Sequence, residues 1–300
     1  MSRHLVGALV APLLLLSACA TAGDDAVIAV EIGATAARSL RSAPDVAADA
    51  GTAAFEMVVS TSDGEEALEL TTTGELDSDA GEIELSMDLS ATWGGLAADG
   101  LPPGMDETAR VIVQDATIYL RLPMLDELTG TSGWLMAGPA DVGEGQSAPS
   151  PGGSRGVFDP SALVEVLRGV TDDVETVGRD EVRGVPTTRY SATVRLADAL
   201  DRAPSDRRRA LKAQLEQLGV GDALIPVAAW IDRTGLARRV TMGFAGPSAA
   251  ATDGRASVEI SIELFDYGRP VSIEAPSPQE VTPYGDAMAA MARAFLEAGA

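Results

Sequence analysis

The chain has 300 residues, 46% of them hydrophobic and 22% charged, enough apolar material for a large core and near the upper limit for a single one. Its formal net charge of -23 opposes contact with phosphate backbones and excludes nucleic acid as a partner. Aromatic residues make up only 4%, so any cavity is expected to have aliphatic walls; the basic residues are 21 Arg and one Lys (Lys212) and Asn is absent, the bias of a GC-rich genome.

Residues 1–18 read as a signal peptide of lipoprotein type. Arg3 and His4 form the charged region, residues 5–16 an apolar run too short to span a bilayer, and Leu16-Ser17-Ala18-Cys19 a small-residue processing site. The sequence LSAC resembles the bacterial lipoprotein box, in which the cysteine becomes the lipidated first residue of the mature chain. The alternative is an ordinary secretory signal with an incidental Cys19. A cysteine at this place and nowhere else favours lipidation, and it also excludes a disulfide and any cysteine-based metal site. More than one acyl chain on Cys19, palmitate among them, gives stable anchoring where one is marginal. The mature protein is therefore expected on the extracytoplasmic face of the cell membrane.

Residues 19–50 form a tether or helix, with Val27, Val30, Ala34 and Ala37 at helical spacing over residues 26–40. From Ala53 the period changes to two. Phe55, Met57 and Val59 share a face, then Leu68, Leu70, Thr72 and Leu76, then Ile83, Leu85, Met87 and Leu89, with turns at Asp63-Gly64 and at residues 77–81. Leu101-Pro-Pro-Gly104 breaks the pattern before a hairpin of residues 110–113 and 117–122 and a short strand around Trp134. Residues 138–156 are rich in Gly, Pro and Ser and read as a flexible surface loop or linker.

A helix is expected over residues 158–170, with Asp159 or Ser161 as cap and Leu163, Val166, Leu167 and Val170 on one face. Strands follow at 173–179 and 185–196, then an amphipathic helix at 205–218 with Leu211, Leu215 and Leu218 as its stripe. Residues 226–276 are the organising stretch. Val227, Ala229 and Ile231 alternate before a turn at 232–235, Val240, Met242 and Phe244 after it, and Val258, Ile260, Ile262 and Leu264 oppose Glu259, Ser261 and Glu263. This is an antiparallel meander with one apolar face. A helix over 284–297 closes the chain. About ten strands and three or four helices in two strand-rich halves imply an α+β fold with helices on one face of an antiparallel sheet.

Reactive groups are scarce. Gly152-Gly153-Ser154-Arg155-Gly156 matches the nucleophile-elbow pattern G-x-S-x-G, but no strand precedes it and the sole histidine, His4, lies in the signal, so a Ser-His-Asp triad is excluded. A Ser-Lys dyad would need Lys212, on the face of a helix beside Arg207, Arg208 and Arg209. Asp77, Asp79 and Glu82 lack the calcium-loop pattern and read as a polar hairpin turn. Asp172-Asp173 give no sign of a tuned acid-base pair. The three arginines at 207–209 read either as a solvated face or as a contact for anionic headgroups.

What rises above background is a set of aliphatic and Met side chains on the inward strand faces: Met57, Val59, Leu85, Met87, Leu89, Val240, Met242, Phe244, Ile260 and Ile262. They form either an ordinary core or the wall of a cavity. The segments WIDRTGLARRV (230–240), LFDYGRPVSIEAP (264–276) and GVPTTRYSATV (184–194) resemble the LppX/LprG-type lipoproteins of actinobacteria, over roughly residues 50–276 in element order. The resemblance implies the LolA/LolB fold, a strongly curved antiparallel sheet forming a half-barrel with helices covering its concave face, here as a single domain over 51–300. It implies a lipid or acylated glycolipid as ligand in an apolar cavity, carried across the envelope, with the ten side chains above as the cavity candidates and an envelope transporter as a further partner. It brings no catalytic residue, metal or cofactor. The alternative is a non-enzymatic sensor or scaffold lipoprotein of the same fold with a filled core.

Overall fold

The computed structural model describes residues 24–62, 67–89, 108–115, 117–122, 133–138, 160–218, 223–247 and 255–298. Helix α1, Asp24–Asp49, turns Ala36, Ala37, Leu40 and Ala43 into the core. It runs nine residues past the expected 26–40 although Pro44 lies inside it. Proline removes one helical hydrogen bond, and the buried alanine-rich face around it sustains the helix.

Two meanders then build the sheet. The first is β1 (Thr52–Ser62), β2 (Ala67–Asp77), β3 (Glu82–Asp88), β4 (Thr108–Gln114), β5 (Thr117–Arg121) and β6 (Trp134–Ala137). The second is β7 (Val170–Val182), β8 (Val185–Arg195), β9 (Leu224–Asp232), β10 (Ala237–Pro247) and β11 (Arg255–Phe265). Within each, sequence neighbours pair antiparallel. The first strand of one meander and the last of the other close the gap: β1 pairs β11 antiparallel, with Met57 opposite Ile262. A three-residue strand, β12 (Val281–Pro283), adds parallel to β6, giving an open twelve-stranded sheet with edges at β7 and β12.

The remaining helices are α2 (Pro160–Glu165), α3 (Leu196–Arg202), α4 (Ser205–Leu218) and α5 (Tyr284–Ala298). The helix expected over 158–170 is shorter. After α2 the chain tightens into a 3-10 turn, Val166–Gly169, and Val170 already belongs to β7. Gly169 packs so closely on β8 that a Cβ there would stand 2.3 Å from the Arg195 carbonyl oxygen, which leaves no room for a further helical turn. Strand β7 is correspondingly longer than the expected 173–179. Its register shifts twice against β8.

The described helices pack chiefly on the second meander, α1 on β7, β9 and β10, α2 on β10 and α3 on β8, while α5 packs on β6 and β12. Leu40, Leu163, Leu167, Leu196, Leu211 and Leu215 from these helices join the inward strand residues in one core. The organising stretch does not stay in the sheet. After Phe265 the chain turns through Asp266 and Gly268, at φ 51° and 71°, and Val271 and Ile273 cross the outer face to pack on Ile112, Trp134 and Tyr119.

Candidate functional site: the inner sheet face and the cleft beside it

Strand alternation and register place the inward residues in straight rows. One row runs Tyr190, Ala229, Val240, Ile262, Met57, Thr72, Met87 and Ala109, each directly opposite the next across eight strands. Met242, Ile260 and Val59 make the next row, and Leu264, Phe55, Gly74 and Leu85 the row on the other side. Gly74 has a local reason. A Cβ there would stand 2.2 Å from the Glu84 carbonyl oxygen and 2.8 Å from the Phe55 ring, so its absence is what lets β3 and that ring come so close.

All ten cavity candidates fall on this face and belong to, or pack against, one apolar cluster. Met57, Leu85, Met87, Leu89, Val240, Met242, Ile260 and Ile262 are buried, and Val59 and Phe244 are half-buried. None of the ten lines the cleft or the small gap described below. The polar interruption of the central row is Thr72, only 1% exposed, whose hydroxyl has no hydrogen-bond partner. Phe55, Thr72 and Leu264 belong to the same surface.

The helix layer is held by buried charge. Glu165, 2% exposed, accepts from Arg168 Nε at 2.5 Å and from Arg207 Nη1 at 2.8 Å, and Arg168 Nη2 donates to Asp45 at 2.7 Å, joining α1, α2 and α4. The Arg168 hydrogen bond holds the Asp45 carboxyl below its usual value. Arg208 donates to the carbonyls of Leu200, Asp201 and Ala203, where α3 ends, satisfying acceptors a helix terminus leaves open. Of the three arginines Arg207 alone departs from a solvated face, through its bond to the buried Glu165; Arg208 and Arg209 are exposed. Arg41 ties α1 to the sheet edge through the Val170 carbonyl and Asp172, both at 2.7 Å.

The segments that carried the family resemblance prove to be fastenings. Asp232, at the β9–β10 turn, accepts from the Thr234 N–H and hydroxyl at 2.8 and 2.6 Å and from Arg238 Nη2 at 2.7 Å. Burial alone raises its carboxyl; the bonds from Thr234 and Arg238 outweigh that and hold it below the ordinary value. On the outer face Glu56, Glu263, Arg239, Trp230 and Arg189 stand opposite one another across five strands. Both arginines cover the Trp230 ring, at 4.9 and 5.1 Å, and its indole N–H donates to Asp180 at 2.8 Å. Arg183, at the tip of the β7–β8 hairpin, reaches Glu56 at 2.8 Å and Glu263 at 2.7 Å. Asp77 turns its carboxylate onto the Asp79 and Ala80 N–H groups, at 3.0 and 2.9 Å, which makes it a turn residue.

Between α1, the β7–β8 hairpin and the β9–β10 turn opens a polar cleft of about 600 Å³. Ser39 and Ser42 line it from α1, Arg179, Thr187 and Tyr190 from the hairpin, and Arg233 from the turn. A second cavity, about 20 Å³, is little more than a gap between α1, α2 and the sheet beside Tyr267. The cleft was not legible in the sequence, because its walls come from three separated segments. A local hint was Arg179, a basic residue in an acidic strand. Cys19, the signal at 1–18, the loop at 138–156 beyond Gly138, the Asp63-Gly64 turn, Ser154 with its G-x-S-x-G match, and the Leu101-Pro-Pro-Gly104 break lie outside the described residues. Among the described residues no group of three or more metal-ligating side chains occurs, and no helix is long and apolar enough to cross a membrane.

No family model matches this sequence, and no curated protein does. Chains of known structure similar to it are mycobacterial lipoproteins of the LppX/LprG kind and LolA-like proteins. LprF from Mycobacterium bovis is 16% identical over 81% of this chain and 97% of its own, with a TM-score of 0.43. The lipoprotein LppX of Mycobacterium tuberculosis is 13% identical over 84% and 100%, TM-score 0.39, and a LolA superfamily protein of Nitrosomonas europaea 7% identical over 76% and 93%, TM-score 0.29.

Proposed function

We propose that this chain is a non-enzymatic envelope lipoprotein, anchored through Cys19 on the extracytoplasmic face of the cell membrane, that carries a lipid or acylated glycolipid across the envelope. In this reading the sheet curves into a half-barrel, helices cover its concave face, and the ligand lies on the apolar rows between them. The observation that carries it is the central row from Tyr190 to Ala109. It is a continuous inward surface about 34 Å wide, at about 4.8 Å per strand, interrupted by the unpartnered Thr72 hydroxyl. In a filled core that hydroxyl costs about 1–3 kcal/mol, a cost that a ligand's polar atom removes. Each CH₂ withdrawn from water contributes about 0.8 kcal/mol, so a sixteen-carbon chain gains on the order of 12 kcal/mol before ordering costs. Binding of that strength requires no reactive group.

The second reading is a sensor or scaffold with a filled core. It is favoured by the burial of eight of the ten candidates. Met87→Trp and Ile262→Trp separate the two, since both belong to the central row and are buried, at 0% and 1% exposure. In a carrier each lowers the lipid extracted with the protein and leaves the melting temperature nearly unchanged. In a filled core each costs about 1–3 kcal/mol of stability and alters no lipid signal.

A further inference from the structure

The geometry points to the cleft between α1, the β7–β8 hairpin and the β9–β10 turn as a binding site for a phosphate ester, held by Arg179 and Arg233. As the seat of a lipid's head it rests on the carrier reading; as a phosphate site it stands alone.

Charge supplies the first argument. In a chain with 45 acidic and 22 basic residues, a guanidinium finds a carboxylate easily, and ten described arginines do. Arg179 and Arg233 are exposed, line the same cleft, and form no ion pair among the described residues. The two carboxylates at the cleft are already engaged. Asp232 is matched by Arg238 at 2.7 Å, and Asp180 accepts the Trp230 indole N–H at 2.8 Å. Two arginines without an ion pair among the described residues therefore line the cleft beside Asp180, and a phosphate ester is the partner that their planar donor pairs fit.

Hydroxyl groups supply the second. Tyr190 lines the cleft from the hairpin with its phenolic hydroxyl. A phosphate oxygen accepts from such a hydroxyl, and Ser39 adds a second from α1. The volume, about 600 Å³, lies within the range of small-ligand sites.

Register supplies the third. Tyr190 lines the cleft, packs its ring against the core cluster, and stands opposite Ala229 at the start of the central inner row. A phosphate held in the cleft places anything esterified to it at the end of the apolar row.

The test titrates the full chain, purified in dodecyl maltoside, with dihexanoylphosphatidylglycerol, dihexanoylglycerol and glycerol 3-phosphate. Wild type is expected to bind the phosphatidylglycerol at least about tenfold more tightly than dihexanoylglycerol, the size of one charge-assisted contact. Arg179→Gln combined with Arg233→Gln abolishes that preference, retains dihexanoylglycerol binding and leaves the melting temperature unchanged. Arg121→Gln, an exposed arginine on β5, alters nothing. Glycerol 3-phosphate binding as tightly as the phosphatidylglycerol, and lost in the double variant, supports the site and assigns it to a soluble phosphate ester. Equal affinity for the two acylated probes, or a preference that survives the double substitution, overturns the inference and leaves the carrier reading standing. Binding of none of the three overturns both.

Discussion

The phenolic hydroxyl of Tyr267 donates to the backbone carbonyl of Ala237 at 2.7 Å. That bond joins the turn after β11 to the start of β10, and the Arg238 guanidinium lies 5.1 Å from the centre of the same ring. Burial pushes the Tyr267 phenol above its usual value, so the hydroxyl stays a donor throughout the physiological range. Both segments were singled out in the sequence for their family resemblance, and their shared role is to fix the strand that carries Val240 and Met242.

Tyr267→Phe keeps the ring under Arg238 and leaves the Ala237 carbonyl unpaired. We expect a loss of about 1–2 kcal/mol, a fall of about 2–6 °C in melting temperature for a chain of this size. An unchanged melting temperature in differential scanning calorimetry would show that the bond contributes nothing.

Asp232→Asn tests the turn beside the cleft. The folded-state value of this carboxyl lies below the unfolded one, so its contribution is present in full above about pH 3.9 and disappears as pH falls through the folded value. Removing the charge leaves Arg238 without a counter-charge in a largely buried place and is expected to cost about 3 kcal/mol at neutral pH. In urea titrations at stepped pH the gap between wild type and variant should close in acid. A gap that is constant down to pH 2 contradicts the assignment.

How much of this was legible beforehand differs by feature. The inward residues were readable because alternation is local: Val258, Ile260, Ile262 and Leu264 declare their face within one strand. The contact of Met57 with Ile262 was not, since the pairing of β1 with β11 joins the two meanders across some two hundred residues and leaves no local trace. Strand β12 exists only through β6, and α3 is two turns of mixed composition. The apolar alternation in residues 271–273 resembled strand yet belongs to a segment crossing the outer face, because Ile112 and Trp134 there need cover. Arg208 and Arg209 are exposed as read, but the engagement of Arg207 was not legible, since the buried Glu165 that accepts from it lies forty-two residues away.

Membrane attachment is expected to depend on Cys19, the single acylatable thiol. Cys19→Ala, expressed in a native-type host, should leave the chain uncleaved or shed into the medium. Mass analysis of the mature wild-type amino-terminal peptide should find a thioether-linked lipid, and an unmodified cysteine there contradicts the anchor.

Carriage of a lipid is tested most directly by native mass spectrometry of the wild-type chain, released gently from the membrane of its own or a related host. The account predicts a population heavier than the polypeptide by the mass of one acylated molecule, lost on collisional activation and recovered in the organic extract. A spectrum holding only the ligand-free chain across all preparations would contradict it and leave the filled-core scaffold.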